Sequence, residues 1–239
     1  MRVHIFIPCF IDQLYPSTAF NMVKVLEKFG CEVIYNPNQT CCGQPAFNAG
    51  FWGESRDVCS KFLNEFTEAQ YIVIPSASCA GFIKNYYDKL FEHSSFRKPL
   101  SQLSKKVFEF TAFLTEVLKV EDTGSTFPGI ATYHDSCAAL RECSIKEGPR
   151  KLLSNVKGLQ LTEMEDTSVC CGFGGSFAVK FEAISIAMAE QKIDHAKKTN
   201  AKYIISTDLS CLMHLDGCIK NSNAGLKVLH IADVLAAGW

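Results

Sequence analysis

Tyr71-Ile72-Val73-Ile74-Pro75-Ser76-Ala77-Ser78-Cys79 and Tyr203-Ile204-Ile205-Ser206-Thr207-Asp208-Leu209-Ser210-Cys211 follow one pattern twice in the same chain. Each runs a short apolar stretch into a turn of small and polar residues and then a cysteine. This is how a buried strand reads when it feeds a ligand-bearing loop at its carboxyl end. Working outward, Cys9 closes the apolar run that starts the chain, and Cys137 closes Ile130-Ala131-Thr132-Tyr133-His134-Asp135-Ser136. Between these landmarks, Cys41-Cys42-Gly43 in the first half answers Cys170-Cys171-Gly172 in the second. Cys9 precedes Cys41 by 32 positions and Cys137 precedes Cys170 by 33; Cys42 precedes Cys79 by 37 and Cys171 precedes Cys211 by 40. The ends also correspond, Lys106-Val107-Phe108-Glu109-Phe110-Thr111 with Lys227-Val228-Leu229-His230-Ile231-Ala232. Such self-similarity marks a duplicated unit.

Short β-branched or aromatic runs alternate with longer stretches of helical period, the pattern of βαβ connections. The expected class is therefore α/β: two tandem, pseudo-symmetric units with mainly parallel sheets flanked by helices. Expected strands lie near 2–7, 32–35, 71–75, 107–109, 130–134, 159–163, 202–206 and 227–229. Expected helices cover 17–29, 50–67, 79–91, 110–119, 146–156, 176–198, 210–219 and 231–237. The Gly-, Ser-, Thr- and Pro-containing stretch 121–129 reads as the junction, giving units of 1–122 and 130–239.

The composition is ordinary for a globular protein: 239 residues, 47% hydrophobic, 21% charged. With 24 basic and 25 acidic residues and no long run of one sign, nothing matches a footprint for nucleic acid or anionic lipid. The first residues read as a strand, not as a signal peptide, and no stretch suits a membrane span. Twelve cysteines without an export signal imply a reducing, cytoplasmic setting, where metal binding or redox chemistry explains them better than disulfides.

Each unit offers four soft thiolates: Cys9, Cys41, Cys42 and Cys79, then Cys137, Cys170, Cys171 and Cys211. Four thiolates are the usual ligand set of an iron–sulfur cluster. The glycine after each adjacent pair lets the backbone turn sharply beside bulky inorganic sulfur. A zinc site can use the same four ligands, although the short C-x-x-C pairs that usually announce it are absent, so zinc in one unit stays open. Cys31 and Cys59 read as core residues, and Cys143 and Cys218 as ordinary buried cysteines, with a spare thiol near the site as the alternative. His134-Asp135-Ser136 leads into Cys137 and is a candidate proton relay or source of hydrogen bonds to cluster sulfur, with turn capping and strand placement as the local alternative. Gly172-Phe173-Gly174-Gly175-Ser176 lacks the spacing of a dinucleotide loop, so neither NAD nor flavin is expected in this chain.

These residues resemble the cysteine-rich CCG-domain family, whose pattern is a distant Cys, then Cys-Cys-Gly, then Cys-x-x-Cys, usually twice per chain. The resemblance covers nearly the whole sequence. Its members include the B subunit of heterodisulfide reductase, the iron–sulfur subunit of glycolate oxidase and the lactate-utilisation protein A group. The chain resembles the last most, around Gln39-Thr40-Cys41-Cys42-Gly43-Gln44-Pro45-Ala46 and Cys170-Cys171-Gly172-Phe173-Gly174-Gly175. The final Cys of the family pattern is Phe82 in the first unit and His214 in the second. That departure points away from a five-cysteine cluster and toward 4Fe–4S clusters on four thiolates, with His214 as a candidate extra metal ligand. The resemblance implies an iron–sulfur electron-transfer subunit of a complex that oxidises a 2-hydroxy acid, L-lactate to pyruvate. The implied partners are a B-type protein with ferredoxin-like clusters and a C-type protein. Heterodisulfide reductase-like chemistry and a redox-silent scaffold held by zinc or a cluster are the alternatives.

Overall fold

The computed structural model describes residues 1–92 and 94–239. The first four strands, β1 (Arg2–Ile5), β2 (Glu32–Tyr35), β3 (Ile72–Ile74) and β4 (Val107–Glu109), form one parallel sheet in the order β2-β1-β3-β4. The next four, β5 (Thr126–Tyr133), β6 (Lys157–Leu161), β7 (Tyr203–Ser206) and β8 (Lys227–His230), repeat the order as β6-β5-β7-β8, again parallel throughout. Parallel neighbours require crossovers, and helices supply them. After β1 come α1 (Cys9–Leu14) and α2 (Pro16–Lys28). After β2 come α3 (Gln44–Asn48) and α4 (Trp52–Phe66). After β3 come α5 (Ala77–Leu90) and α6 (Arg97–Ser104), and after β4 comes α7 (Phe110–Ala112), widening into a π turn over Phe113–Val117. The second unit carries α8 (Cys137–Glu142), α9 (Glu147–Ser154), α10 (Ser176–Lys180), α11 (Glu182–Lys197), α12 (Leu209–Asn221) and α13 (Ile231–Leu235). The α/β class and the tandem parallel sheets are those expected from the sequence.

The differences are local. Strand β5 begins at Thr126, inside the stretch read as a junction, because Thr126 N–H donates to Ala237 O and the pairing with β6 shifts register between Thr126 and Gly129. The helix expected over 176–198 is two, separated at Phe181, whose backbone leaves the helical region at φ −130° and ψ 49°. Helices α1, α3, α6 and α8 were not expected; those of five or six residues fall short of a readable helical period.

The units exchange helices. Helix α13 of the second unit packs on α2 of the first, where Asp233 accepts from Thr18 Oγ1 at 3.0 Å and Asn21 Nδ2 at 2.9 Å. Reciprocally, α7 of the first unit packs on α9 of the second. Helices α5 and α8 also cross closely. A Cβ on Gly81 would lie 2.5 Å from Glu142 Cβ, and Asn85 and Tyr86 hydrogen-bond Glu142. One hydrophobic core therefore joins both sheets, with Val25, Leu26 and Phe113 of the first unit beside Leu153, Val234 and Leu235 of the second. At about 25 cal/mol per Å² of apolar surface removed from water, this shared core holds the sheets in one arrangement.

Candidate metal centre

Every strand-to-loop exit that carries a predicted ligand opens toward the same place. Cys9 starts α1 directly after Pro8, and Cys79 is the third residue of α5, beyond β3. Cys137 starts α8, where Ser136 Oγ accepts the amide of Ala139 at 3.1 Å, and Cys211 is the third residue of α12. The paired cysteines come from the loops after β2 and β6. The first of these loops is held by Gln39, whose Oε1 accepts Ile7 N–H at 2.7 Å beside Cys9. All eight predicted cysteines line one cavity of about 580 Å³ between the carboxyl ends of the two sheets, together with Ser76, Ser78, Ser136 and Asp208. A crevice at strand carboxyl ends is where open α/β sheets place ligands.

Within each set the sulfurs converge without bonding, and all twelve cysteines are free. Cys42 Sγ lies 3.3 Å from Cys79 Sγ, and Cys9 Sγ 4.0 Å from Cys41 Sγ. The Gly43 amide donates to Cys41 Sγ and the Gly172 amide to Cys170 Sγ, both at 3.4 Å. Ser55 Oγ donates to Gly43 O at 3.2 Å, and Ser185 Oγ to Gly172 O at 2.8 Å, so one serine pins each Cys-Cys-Gly turn to the helix behind it.

The titration pattern repeats too. The Cys41 thiol is held well below its usual range by hydrogen bonds from Cys42 and Cys9, and Cys170 by those from Cys137 and Cys171. The donor thiols are pushed up: Cys9 chiefly by its bond to Cys41, Cys42 by Cys41, Cys137 by Cys170 and Cys171 by Cys170. Crowded sulfurs with little solvent around them resist ionising together without a cation; a bound metal removes that limit, because ligation deprotonates thiols. The sets therefore fit a thiolate-bound metal centre. His134 adds to the second: a ring nitrogen and the sulfurs of Cys171 and Cys211 lie within 4.8 Å of one another, and neither His134 nitrogen has a hydrogen-bond partner among the described residues. Burial drives the His134 pKa down to about 4, keeping the imidazole neutral and able to ligate or donate.

His214 is placed differently. Its Nε2 lies 3.1 Å from Ser185 Oγ and its ring faces Phe173, beside the loop rather than in the cavity wall. Phe82, its counterpart, is buried against Phe47 and Tyr86. Cys31 and Cys59 are buried in the core, as read from the sequence, while Cys143 and Cys218 are only partly buried. Two residues of the site escaped the sequence reading. Asp208 hydrogen-bonds Ser78 of the other unit, and Lys192 is buried behind Cys171, donating to Asp166 O at 2.5 Å and Thr167 O at 3.1 Å. Laying the two units over each other would have singled out Lys192, since it takes the place of Phe62.

No helix among the described residues is long and apolar enough to cross a membrane. Comparison with known proteins follows the same lines as the geometry. Lactate utilization protein A of Geobacillus sp. (strain WCH70) is 42% identical over 235 residues, covering 98% of this chain and 99% of that protein. Its namesake in Geobacillus thermodenitrificans (strain NG80-2) is 40% identical, covering 98% of each. A solved structure of a hypothetical protein from Helicobacter pylori superposes over 98% of this chain with a TM-score of 0.64 at 11% identity, a likeness of fold. The present chain spans about half of that protein, 48%. The profile of the cysteine-rich domain, CCG, matches residues 3–84 and 131–216, one match over each cysteine set. With both matches and full-length relatives at 40–42% identity, the chain belongs to the CCG cysteine-rich domain family.

Proposed function

We propose that the units 1–122 and 130–239 each hold an iron–sulfur cluster of the 4Fe–4S type on Cys9, Cys41, Cys42 and Cys79, and on Cys137, Cys170, Cys171 and Cys211. The chain then serves as the electron-transfer subunit of a cytoplasmic system that oxidises a 2-hydroxy acid, L-lactate to pyruvate. The observation that carries this reading is the convergence of eight free cysteines, four from each unit, on one cavity. The substrate is supported by the relatives' name, lactate utilization protein A, at 40–42% identity over almost all of both chains.

Bound clusters supply reversible one-electron transfer. Oxidising lactate removes two electrons and two protons, so the carbon chemistry belongs to a flavin or other two-electron acceptor on a partner. In this reading the partners are the B-type protein with ferredoxin-like clusters and the C-type protein. The chain's own residues hold and shield the centres. Gly43 and Gly172 let amide N–H groups approach sulfur, Ser55 and Ser185 fix the turns, and Phe6, Phe62 and Tyr87 exclude water behind the first set. The proposal leaves His214, engaged by Ser185, outside the ligand set. Phe82 and His214 stand where a fifth cysteine would be needed for heterodisulfide reductase-like chemistry.

The test is iron, zinc and acid-labile sulfide content of anaerobically purified protein, with visible spectra before and after dithionite. About four to eight irons per chain with matching sulfide and bleaching on reduction is the expected result. Cys42→Ala and Cys171→Ala should each lower iron by about half. Zinc without sulfide would overturn the reading in favour of a redox-silent scaffold.

A further inference from the structure

The two cysteine sets are alike, yet the walls behind them are not. Phe6 stands three residues before Cys9, and His134 three before Cys137. Phe62 follows Ser55 by seven residues, and Lys192 follows Ser185 by seven. In the first unit Phe6 and Phe62 meet edge to face with ring centroids 5.1 Å apart, and Phe66 and Tyr87 close the wall around them. Among the described residues, no lysine, arginine or histidine of the first unit is buried. In the second unit the same two places hold an imidazole that is fully buried and an ammonium only 1% exposed.

A buried lysine costs several kcal/mol unless something answers its charge. Lys192 donates to two backbone carbonyls, which take two of its three protons and carry no formal charge to answer its own. Of the carboxylates near it, Asp135 is taken by the Arg150 guanidinium through two bonds of 2.7 and 2.9 Å, and Asp166 is exposed to solvent. The remaining anions that face it are the sulfurs of Cys170 and Cys171. Asp208 sits between the units, bonded to Ser78 and Ser210 on either side, and its carboxylate also acts on Cys137, so Lys192 works against it at the second centre. Lys192 is thus a buried cation that faces the second cysteine set, at the place where the first unit has Phe62.

Resting on the two-cluster reading above, we infer that the two centres are inequivalent, the second unit's being the more easily reduced, so that the first electron supplied to the protein resides there. Reduction adds one negative charge. A buried ammonium and an unpartnered imidazole beside the ligands stabilise that charge in a medium of low dielectric, whereas the aromatic wall of Phe6 and Phe62 offers none of this. The duplicated fold thus carries a built-in direction, from the apolar-walled centre to the cation-backed one.

The test is an anaerobic redox titration of the full-length, cluster-loaded protein with dithionite, followed by electron paramagnetic resonance. Iron and sulfide are counted first. If they are missing, the cluster reading fails and this inference falls with it. With both clusters present, two one-electron waves are expected. Cys42→Ala, which removes the first centre, should retain the higher-potential wave, and Cys171→Ala the lower. Lys192→Gln, which keeps a donor for the two carbonyls but removes the charge, should lower only the higher wave, by about tenfold or more in the reduction equilibrium, equivalent to about 59 mV for one electron. With the clusters intact, coincident waves, the reverse order in the two cysteine variants, or a Lys192→Gln protein whose waves do not move or move together would each overturn the inference. The wild-type and cysteine-variant titrations stand even if Lys192→Gln does not fold.

Discussion

Asp208 of the second unit caps a helix of the first: its Oδ2 accepts the Ser78 amide at 2.9 Å and its Oδ1 accepts Ser78 Oγ at 3.2 Å. Ser78 lies next to Cys79, and Asp208 lies three residues before Cys211, whose turn it also holds through Ser210 Oγ at 2.9 Å. One buried carboxylate thereby couples the two ligand-bearing turns. Asp208→Ala removes an N-terminal cap from α5 and strands two hydroxyls, a loss of about 1–2 kcal/mol. For a chain of this size that lowers the melting temperature by about 2–8 °C. Thermal denaturation checks it, and Asp208→Asn, which keeps an acceptor, should lose less. An unchanged melting temperature in Asp208→Ala would remove Asp208 as the coupling between units.

The two glycines of the paired-cysteine turns should not tolerate alanine equally. Both need a left-handed backbone, φ +88° at Gly43 and +93° at Gly172, which costs any other residue about 1–2 kcal/mol. A Cβ at Gly43 would meet Ser55 Oγ at 3.3 Å, a side chain that can rotate. At Gly172 it would meet the Ser185 carbonyl oxygen at 2.4 Å, which cannot move without bending α11. Gly172→Ala should therefore be the more destabilised in urea titrations and should lose metal from the second set, while Gly43→Ala retains more of both. Equal effects would mean that the α11 backbone yields freely.

Glu109 makes stability depend on pH. It closes β4, and its Oε2 caps α7 by accepting from Thr111 N, Ala112 N and Thr111 Oγ1, while Oε1 has no partner among the described residues. Burial pushes its pKa up to about 7 from the ordinary 4.5, partly opposed by those hydrogen bonds. Because the folded pKa is raised, the protein is favoured with the carboxyl protonated. That contribution is complete below pH 4.5 and is lost as pH rises through 7, amounting to about 3 kcal/mol. Glu109→Gln cannot ionise, so its stability relative to the wild type should grow between pH 5 and pH 8. Denaturation midpoints across that range check this, and parallel profiles for the two proteins would contradict it.

Much of the fold was legible from the chain alone because duplication doubles every signal. Val107 to Glu109 is a three-residue strand that periodicity could hardly identify, yet its match to Lys227–His230 makes it readable. What escaped was short or context-bound. Helices α1 and α8 of six residues show less than two turns of pattern, and Phe181 breaks its helix without a Gly or Pro to announce it. Lys192 sits in α11 among Ala189, Ile193 and Ala196, and nothing nearby in sequence tells a buried lysine from one at the edge of a solvated face.

The sequence by itself determined the chemistry available: eight thiols in two matching sets, two glycines that allow the sharp turns, and strands whose carboxyl ends carry the ligands. These are local facts, written in residue type and spacing. Only the tertiary structure decided that both sets face one cavity, that each unit's last helix covers its neighbour, and that His134 and Lys192 stand buried where Phe6 and Phe62 stand in the first unit. These depend on contacts between residues far apart in the chain, such as Thr18 with Asp233, whose pairing is set by the packing of a shared core and leaves no local mark in the sequence.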